Sequence, residues 1–351
     1  MLAYVGAYTT GKRNGRGRGI EVYRVDESSG HWTPVQTLPG LVNPSFLALD
    51  RRRRVLYAAH GDEDYATAFA IDEITGQLTP LDRQSTGGAN GVHLAVDATN
   101  RFLVVGNYAS GTVAVLPIAR DGSLEPLCDL VTLTGTPGPD PVQQTGSHPH
   151  HVPFDRSGGF VVVPDKGLDS VFVFRLDTTR GQLMAGYPPS VRARPGAAPR
   201  HADFHPTAPY AYVNNELDST ITTYRFEPER SALEPLQVIS TVPADFTAKN
   251  TTAEIAVAPS GRFVYVSNRG HDSVAIFAVD AGSGLLSPVG WEPAQGKTPR
   301  FFALDPTGGA LYVANQNSDA IVAFRVDTAT GALTPTGQIV HTGSPSSIVF
   351  R

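Results

Sequence analysis

The sequence predicts an all-β fold, a seven-bladed β-propeller of four-stranded antiparallel blades. Three observations carry that prediction. A turn of the form Asp-x-x-(Ser/Thr)-Gly-x-Leu-(Thr/Ser)-Pro recurs seven times along 351 residues. A β-branched and aromatic run ending in a small polar residue recurs at a spacing of about fifty residues. The two chain ends each carry an unpaired strand sequence, and the two complement one another.

The turn is clearest at Asp72 to Pro80, Asp280 to Pro288 and Asp327 to Pro335. Looser copies begin at Asp26, Asp177, Glu227 and, one residue shorter, Ala119. Alternating segments lead into the turns, among them Val171-Phe172-Val173-Phe174 and Val274-Ala275-Ile276-Phe277. Period-two alternation closed by a Gly-containing turn predicts a β-hairpin. The preceding runs end at residues 60, 107, 165, 215, 268 and 315, so the intervals are 47, 58, 50, 53 and 47. A further strand comes before each run, such as Pro44 to Asp50 and Pro299 to Asp305, and the Leu-Thr-Pro segments supply a fourth. Four short strands repeated at this period define propeller blades.

The chain opens on a second-strand sequence, Ala3-Tyr4-Val5-Gly6-Ala7, with no first strand before it. It finishes on an orphan first strand, Ser344 to Phe350. Pairing the two closes the ring and removes an exposed sheet edge. Length alone suggests two or three domains; the repeat instead predicts a single propeller domain over residues 1–351. The abundant Gly (35) and Pro (28) then belong to its turns.

A net charge of −5 and a pI near 6.0 give no general attraction to nucleic acid or acidic membranes. No apolar window approaches the roughly 20 residues that span a bilayer, and the N-terminus lacks the features of a signal peptide. A lone cysteine, Cys128, cannot form an internal disulfide or a thiolate metal cluster. The expected setting is cytoplasmic, the expected partner a small anionic molecule, and the expected assembly a monomer or weak homodimer.

Strand direction alternates within a blade, so the starts of first strands and the ends of second strands share one face. There, at one first-strand position, stand His150, Arg200 and Arg300, against Ser45, Val92, Ala253 and Ser346 in the other blades. Just beyond second strands lie Lys166, Glu216 and Arg269. One such residue would be an ordinary solvated rim charge; so many on one face predict a site. Histidine accepts protons near neutral pH, a glutamate can orient the imidazole or act as base itself, and arginines clamp anions and stabilise an oxyanion. The set suits attack on an ester-like carbonyl of an anionic substrate. His150, Glu216, Arg200 and Arg269 are the candidate catalytic residues. His148, Arg300, Lys166, Asn215 and Asn268 are the candidate substrate-binding residues. No metal-ligand spacing is present, and no metal or cofactor is expected.

Around these residues the sequence resembles the seven-bladed lactonase family, which contains propeller-type 6-phosphogluconolactonases and fungal-type carboxymuconate lactonising enzymes. The resemblance is carried by Tyr4-Val5-Gly6-Ala7-Tyr8-Thr9, His148-Pro149-His150, Pro199-Arg200-His201, Val213-Asn214-Asn215-Glu216 and Ser267 to Ser273. It implies an active-site histidine at His150 or His148, arginines at Arg200 and Arg269, a glutamate at Glu216, and no metal. Lys166-Gly167 stands where the family more commonly has Leu-Gly. The activity implied is hydrolysis of a sugar lactone, above all 6-phosphogluconolactone. The alternative is closure of a carboxymuconate to its lactone. A non-catalytic binding propeller would carry repeat-wide Trp-Asp signatures, and neither Trp32 nor Trp291 is followed by Asp.

The Gly15-Arg16-Gly17-Arg18-Gly19 segment precedes a strand, not a helix, which argues against a phosphate loop. Arg51 to Arg54 fall on the opposite face as a solvated turn, and His60, His93, His201 and His205 are expected to be structural. The Pro- and Gly-rich insertion Gly135 to Gly146 leads into His148 and is expected to form a flap over the site.

Overall fold

The computed structural model describes residues 1–351 as a ring of seven antiparallel sheets, blades I to VII in chain order. In blade I the innermost strand is Pro345–Phe350, followed outward by Leu2–Ala7, Ile20–Val25 and Trp32–Leu38. Blades II, III, V, VI and VII begin with inner strands Pro44–Leu49, Gly91–Val96, Pro199–Phe204, Thr251–Val257 and Pro299–Leu304. The predicted closure is formed: Ala3 pairs with Phe350, Tyr4 with Val349 and Val5 with Ile348.

Blade IV departs from the repeat. Its regular strands are Phe160–Asp165, Ser170–Asp177 and Gln182–Arg192, and its inner position is held only by isolated bridges Pro149–Asp165 and Phe154–Val161. Pro149 and Pro153 have no N–H to donate, so a regular ladder cannot form there.

The middle strands are buried along their whole length, as in Val55–His60 and Phe102–Asn107, because blades cover them on both faces. The outermost strands alternate, as in Leu78–Ser85, because one face meets water. Seven apolar clusters join blade I to II, II to III, and so on round to VII and I. An open row of seven blades would have only six such joints, so the ring is closed by packing as well as by pairing.

The recurrent turn lies at these joints. Oδ1 of Asp72 accepts the N–H groups of Ile74 and Thr75, an Asx turn. Gly76 follows at φ +78°, where a Cβ would come within 2.4 Å of Leu2. Its carbonyl accepts the Tyr4 hydroxyl at 3.0 Å. The same latch recurs as Tyr57 to Gly122, Tyr212 to Gly284 and Tyr265 to Gly331, so a second-strand tyrosine of one blade holds the hairpin of the next.

Each regular inner strand carries a bulge near its start. Pro199 pairs with Asn215 and His201 with Asn214, leaving Arg200 as the extra residue. Ser45, Val92, Arg300 and Ser346 occupy the same place, and Ala253 and Glu254 together face the single residue Ser267. A bulge re-aims side chains that a flat ladder would send into the blade. This repeated irregularity forms the layer at the channel mouth.

Candidate active site at the channel mouth

A cavity of about 170 Å³ opens at this mouth, lined by Tyr8, Tyr108, His150, Glu216, Arg269 and Arg300, with Arg13, Asn90, Val92 and Lys166 completing it. A larger cavity, about 630 Å³, lies at the opposite mouth. Its walls are mainly apolar, and its arginines are already spent: Arg51 donates to carbonyls of Val96 and Asp97, and Arg156 to Phe204 O and Asp203. The small polar cavity is therefore the candidate site.

Glu216 is its hinge. Its carboxylate lies 2.8 Å from Lys166 Nζ, 3.2 Å from an Arg269 nitrogen and 3.1 Å from Arg200 Nε. The Arg200 N–H is not aligned on the oxygen, so that contact is an ion pair rather than a hydrogen bond. Burial alone would raise the Glu216 pKa, but Arg269, Lys166 and Arg200 outweigh it and hold it well below the ordinary value. A carboxylate so engaged is a poor general base. It also makes no hydrogen bond to His150. Its role is to hold three cations together.

Arg200 and Arg269 are further fixed by Ala253 O and Thr252 O. Burial lowers the Lys166 pKa, with Glu216 opposing; its ammonium also donates to Gln143 Oε1 at 2.8 Å. The insertion at 135–146 therefore buttresses Lys166 instead of covering the cavity as a flap. Gln144 pins it by donating to Lys166 O and Asp169 Oδ1.

Arg300 differs from the other cations at the mouth. It has no carboxylate partner and lies over the Tyr8 ring, 5.0 Å from its centroid. Arg13 also faces Tyr8, at 5.8 Å, but is held by Asp62 through two nitrogens at 2.9 and 2.5 Å.

His150 is 6% exposed, edge-on to Tyr108, with Nδ1 buried and without a partner. Burial and then Arg200 push its pKa well below the ordinary imidazole value, so it is neutral near neutral pH. His148 is not equivalent. Both its ring nitrogens are engaged, with Tyr108 O and Thr145 Oγ1, and it stacks on Tyr108 outside the cavity.

Asn215 and Asn268 do not reach the cavity, which corrects the sequence-based expectation. The Asn215 amide donates to Thr220 and Thr222; that of Asn268 donates to Thr241 O and Ser273, and its oxygen accepts from Thr241 and Asn250. Asn215 ties strand ends inside its own blade, and Asn268 ties its strand end to the segment linking blades V and VI. Tyr8 and Tyr108, conversely, were missed although register marks them: they directly follow Leu2–Ala7 and Phe102–Asn107, as Glu216 follows Tyr210–Asn215.

Below the mouth lies a second layer. Phe46, His93, His151 and His201 form a chain of rings with neighbouring centroids 3.8–4.2 Å apart, and Phe301 contacts Phe46 at 5.8 Å. These rings fill the channel, so the cavity is a closed-ended cup, not a pore.

A ring of seven blades with one small cationic cup at its mouth defines a β-propeller whose candidate site suits a small anion. The comparisons with known proteins narrow this. The family model described as "Lactonase, 7-bladed beta-propeller" matches residues 2–350. A 6-phosphogluconolactonase of Bacillus subtilis is 36% identical over 304 residues, 86% of this chain and 84% of that protein. One from Formosa agariphila is 32% identical, covering 86% and 85%. Among solved structures, a periplasmic gluconolactonase of Pseudomonas aeruginosa superposes with a TM-score of 0.91 at 32% identity, covering 99% of both chains. The chain belongs to the seven-bladed β-propeller lactonase family.

Proposed function

We propose that this chain hydrolyses the ester bond of an anionic sugar lactone, 6-phosphogluconolactone, at the channel mouth. The observation that carries the reading is Arg300, a cation without a carboxylate partner, placed in one cup with a neutral imidazole. The identities to 6-phosphogluconolactonases support the substrate class. The phosphate pairs with Arg300, which is free to form charge-assisted hydrogen bonds. The lactone carbonyl lies against Arg269 and Lys166, with Arg200 buried behind them, and their positive charge stabilises the developing oxyanion. His150 takes a proton from the attacking water, the new carbon–oxygen bond forms, and the ring C–O bond breaks as its oxygen regains a proton. The cup gathers Lys166, Arg269, Arg300 and Arg13 around a single carboxylate, Glu216, that is already paired, a set that does not suit a metal ion.

Substitution His150→Gln is expected to lower kcat by about 10²–10⁴-fold, the usual contribution of a positioned base, while KM changes little. Initial rates of lactone opening, followed by acid release, check this. Wild-type rates in that variant, or turnover of a carboxymuconate in place of the lactone, would overturn the reading.

A further inference from the structure

Besides Arg200 Nε, three side-chain atoms around the throat beneath the cup are buried and without a hydrogen-bond partner: Nδ1 of His150, Nε2 of His201 and Oε2 of Glu254. Their residues are 6%, 2% and 5% exposed. Buried polar atoms are seldom left unpaired, and a water is the commonest partner where there is room. A cavity of about 10 Å³, the room one water needs, is lined by His150, His201, Arg200, Arg300, Ser45 and Ser346. The His150 and His201 rings lie 5.1 Å apart between centroids. On its far side His201 shares a hydrogen bond, Nδ1 to Glu254 Oε1, at 3.0 Å.

The other two channel imidazoles cannot take part in proton exchange. The Val152 N–H donates to His93 Nδ1 and the Ala202 N–H to His151 Nδ1. A backbone amide does not give up its proton, so both rings are fixed as neutral Nε2–H tautomers. Only His150 and His201 keep a free nitrogen in the throat.

We propose that the Glu254–His201 pair, acting through one water bound in this cavity, sets which nitrogen of His150 carries the proton, and so whether His150 meets the lactone as acceptor or donor. This rests on the reading that His150 acts at the lactone. With Glu254 ionised, His201 donates Nδ1–H to Oε1 and exposes the lone pair of Nε2. The water donates to that lone pair and accepts Nδ1–H from His150, whose outer nitrogen is then bare. With Glu254 protonated the chain reverses: Glu254 donates to His201 Nδ1, His201 Nε2–H to the water, and the water to His150 Nδ1. The outer nitrogen of His150 then carries the proton.

In turnover the base form moves one proton inward. The attacking water gives a proton to the outer nitrogen as its oxygen bonds the carbonyl carbon. His150 passes Nδ1–H to the bound water, the water passes one to His201 Nε2, and His201 passes Nδ1–H to Glu254. Breaking the ring C–O bond leaves an alkoxide, and the same path returns the proton to it. No imidazolium persists beside Arg200, Arg300 and Lys166, where burial and those cations disfavour one.

Glu254 faces His201, Arg200, Asp203 and Arg300, and burial, the largest influence, pushes its pKa up to about 8. His201 faces Arg200, His151, His150, His93 and Glu254, and burial keeps it neutral. The pair therefore exchanges a proton close to physiological pH.

The test is nitrogen NMR of histidine-labelled wild-type protein from about pH 6 to about pH 10, a range bracketing the expected midpoint, with Glu254→Gln alongside. The wild-type His150 signals should change tautomer with a midpoint near 8, and Glu254→Gln, which cannot ionise, should show no change. For lactone hydrolysis, kcat should fall about tenfold per pH unit below that midpoint in wild type, with KM steady, and lose this limb in Glu254→Gln. A single His150 tautomer across the range in wild-type protein overturns the proposal, and needs no variant to fold. A tautomer change that the rate ignores upholds the coupling and overturns the role assigned to His150 in hydrolysis.

Discussion

Glu216→Gln removes one negative charge and almost no volume from a group of three buried cations. Oxygens of Glu216 lie 2.8–3.2 Å from Lys166, Arg200 and Arg269, with every partner largely inaccessible. Each contact is strongly attractive at an effective dielectric near 20, but desolvation cancels much of the sum. Removing one partner of a buried ion pair costs about 3–5 kcal/mol, because the remaining charges stay behind uncompensated. At roughly 2 cal/mol/K per residue of unfolding entropy, a chain of 351 residues converts this into a midpoint about 4–7 °C lower. The pH dependence follows from the sign of the shift. Glu216 is held well below its ordinary 4.5 in the folded state, so its contribution is complete above about pH 4.5 and fades as pH falls through the folded value. The gap between variant and wild type should therefore be full at neutral pH and narrow in acid. Calorimetric scans at several pH values measure it, with Glu216→Gln/Lys166→Met as a companion that removes one stranded cation and should recover part of the loss. Midpoints of wild type and Glu216→Gln within a degree of each other at neutral pH would refute the charge-holding role.

Arg300→Ala should raise KM for the phosphorylated lactone by about 10–100-fold, the equivalent of one charge-assisted hydrogen bond, and change KM for the unphosphorylated lactone far less. Steady-state kinetics on both substrates decide it, and equal effects would remove the phosphate from Arg300. Tyr265→Phe strips the Gly331 carbonyl of its buried donor and should cost about 1–3 kcal/mol with kcat and KM unchanged; an unaltered unfolding midpoint would show that the latch is energetically idle.

The blade count and ring closure were legible because they rest on turn chemistry and alternation, which are local. The face of the site was legible for the same reason. The geometry within that face depends on bulges, and a bulge is a register event between two strands that one strand's sequence does not reveal. Arg200 and Arg300 stand at equivalent positions, yet one is locked to Glu216 and the other is free, because only the third dimension brings Lys166 and Arg269 to the same carboxylate. Asn215 and Asn268 fail for a reason the sequence did contain. Each is the strand neighbour of a cup or rim residue, Glu216 or Arg269, and adjacent strand residues point to opposite faces. Asp165 shows the same strand-end role, accepting the N–H groups of His148, Gly167 and Leu168. The absence of metal-ligand spacing predicts a structural role for His201, and its free nitrogen becomes visible only beside His150 and Glu254.

A net charge of −5 coexists with a cationic mouth because acids and bases do different work in this fold. Asp26, Asp72, Asp177, Asp280 and Asp327 spend their carboxylates on the N–H groups of their own hairpin turns. These charges shape the chain and are distant from the cup. At the mouth, Lys166, Arg200 and Arg269 share Glu216, Arg13 is matched by Asp62, and Arg300 has no counter-charge. The starts of the inner strands present Arg200 and Arg300 to that space whatever the overall composition, and with Lys166 and Arg269 from second-strand ends they suffice to set its sign. The positive charge at the mouth is thus set by register at a few strand starts and strand ends, and the net charge of −5 does not reveal it.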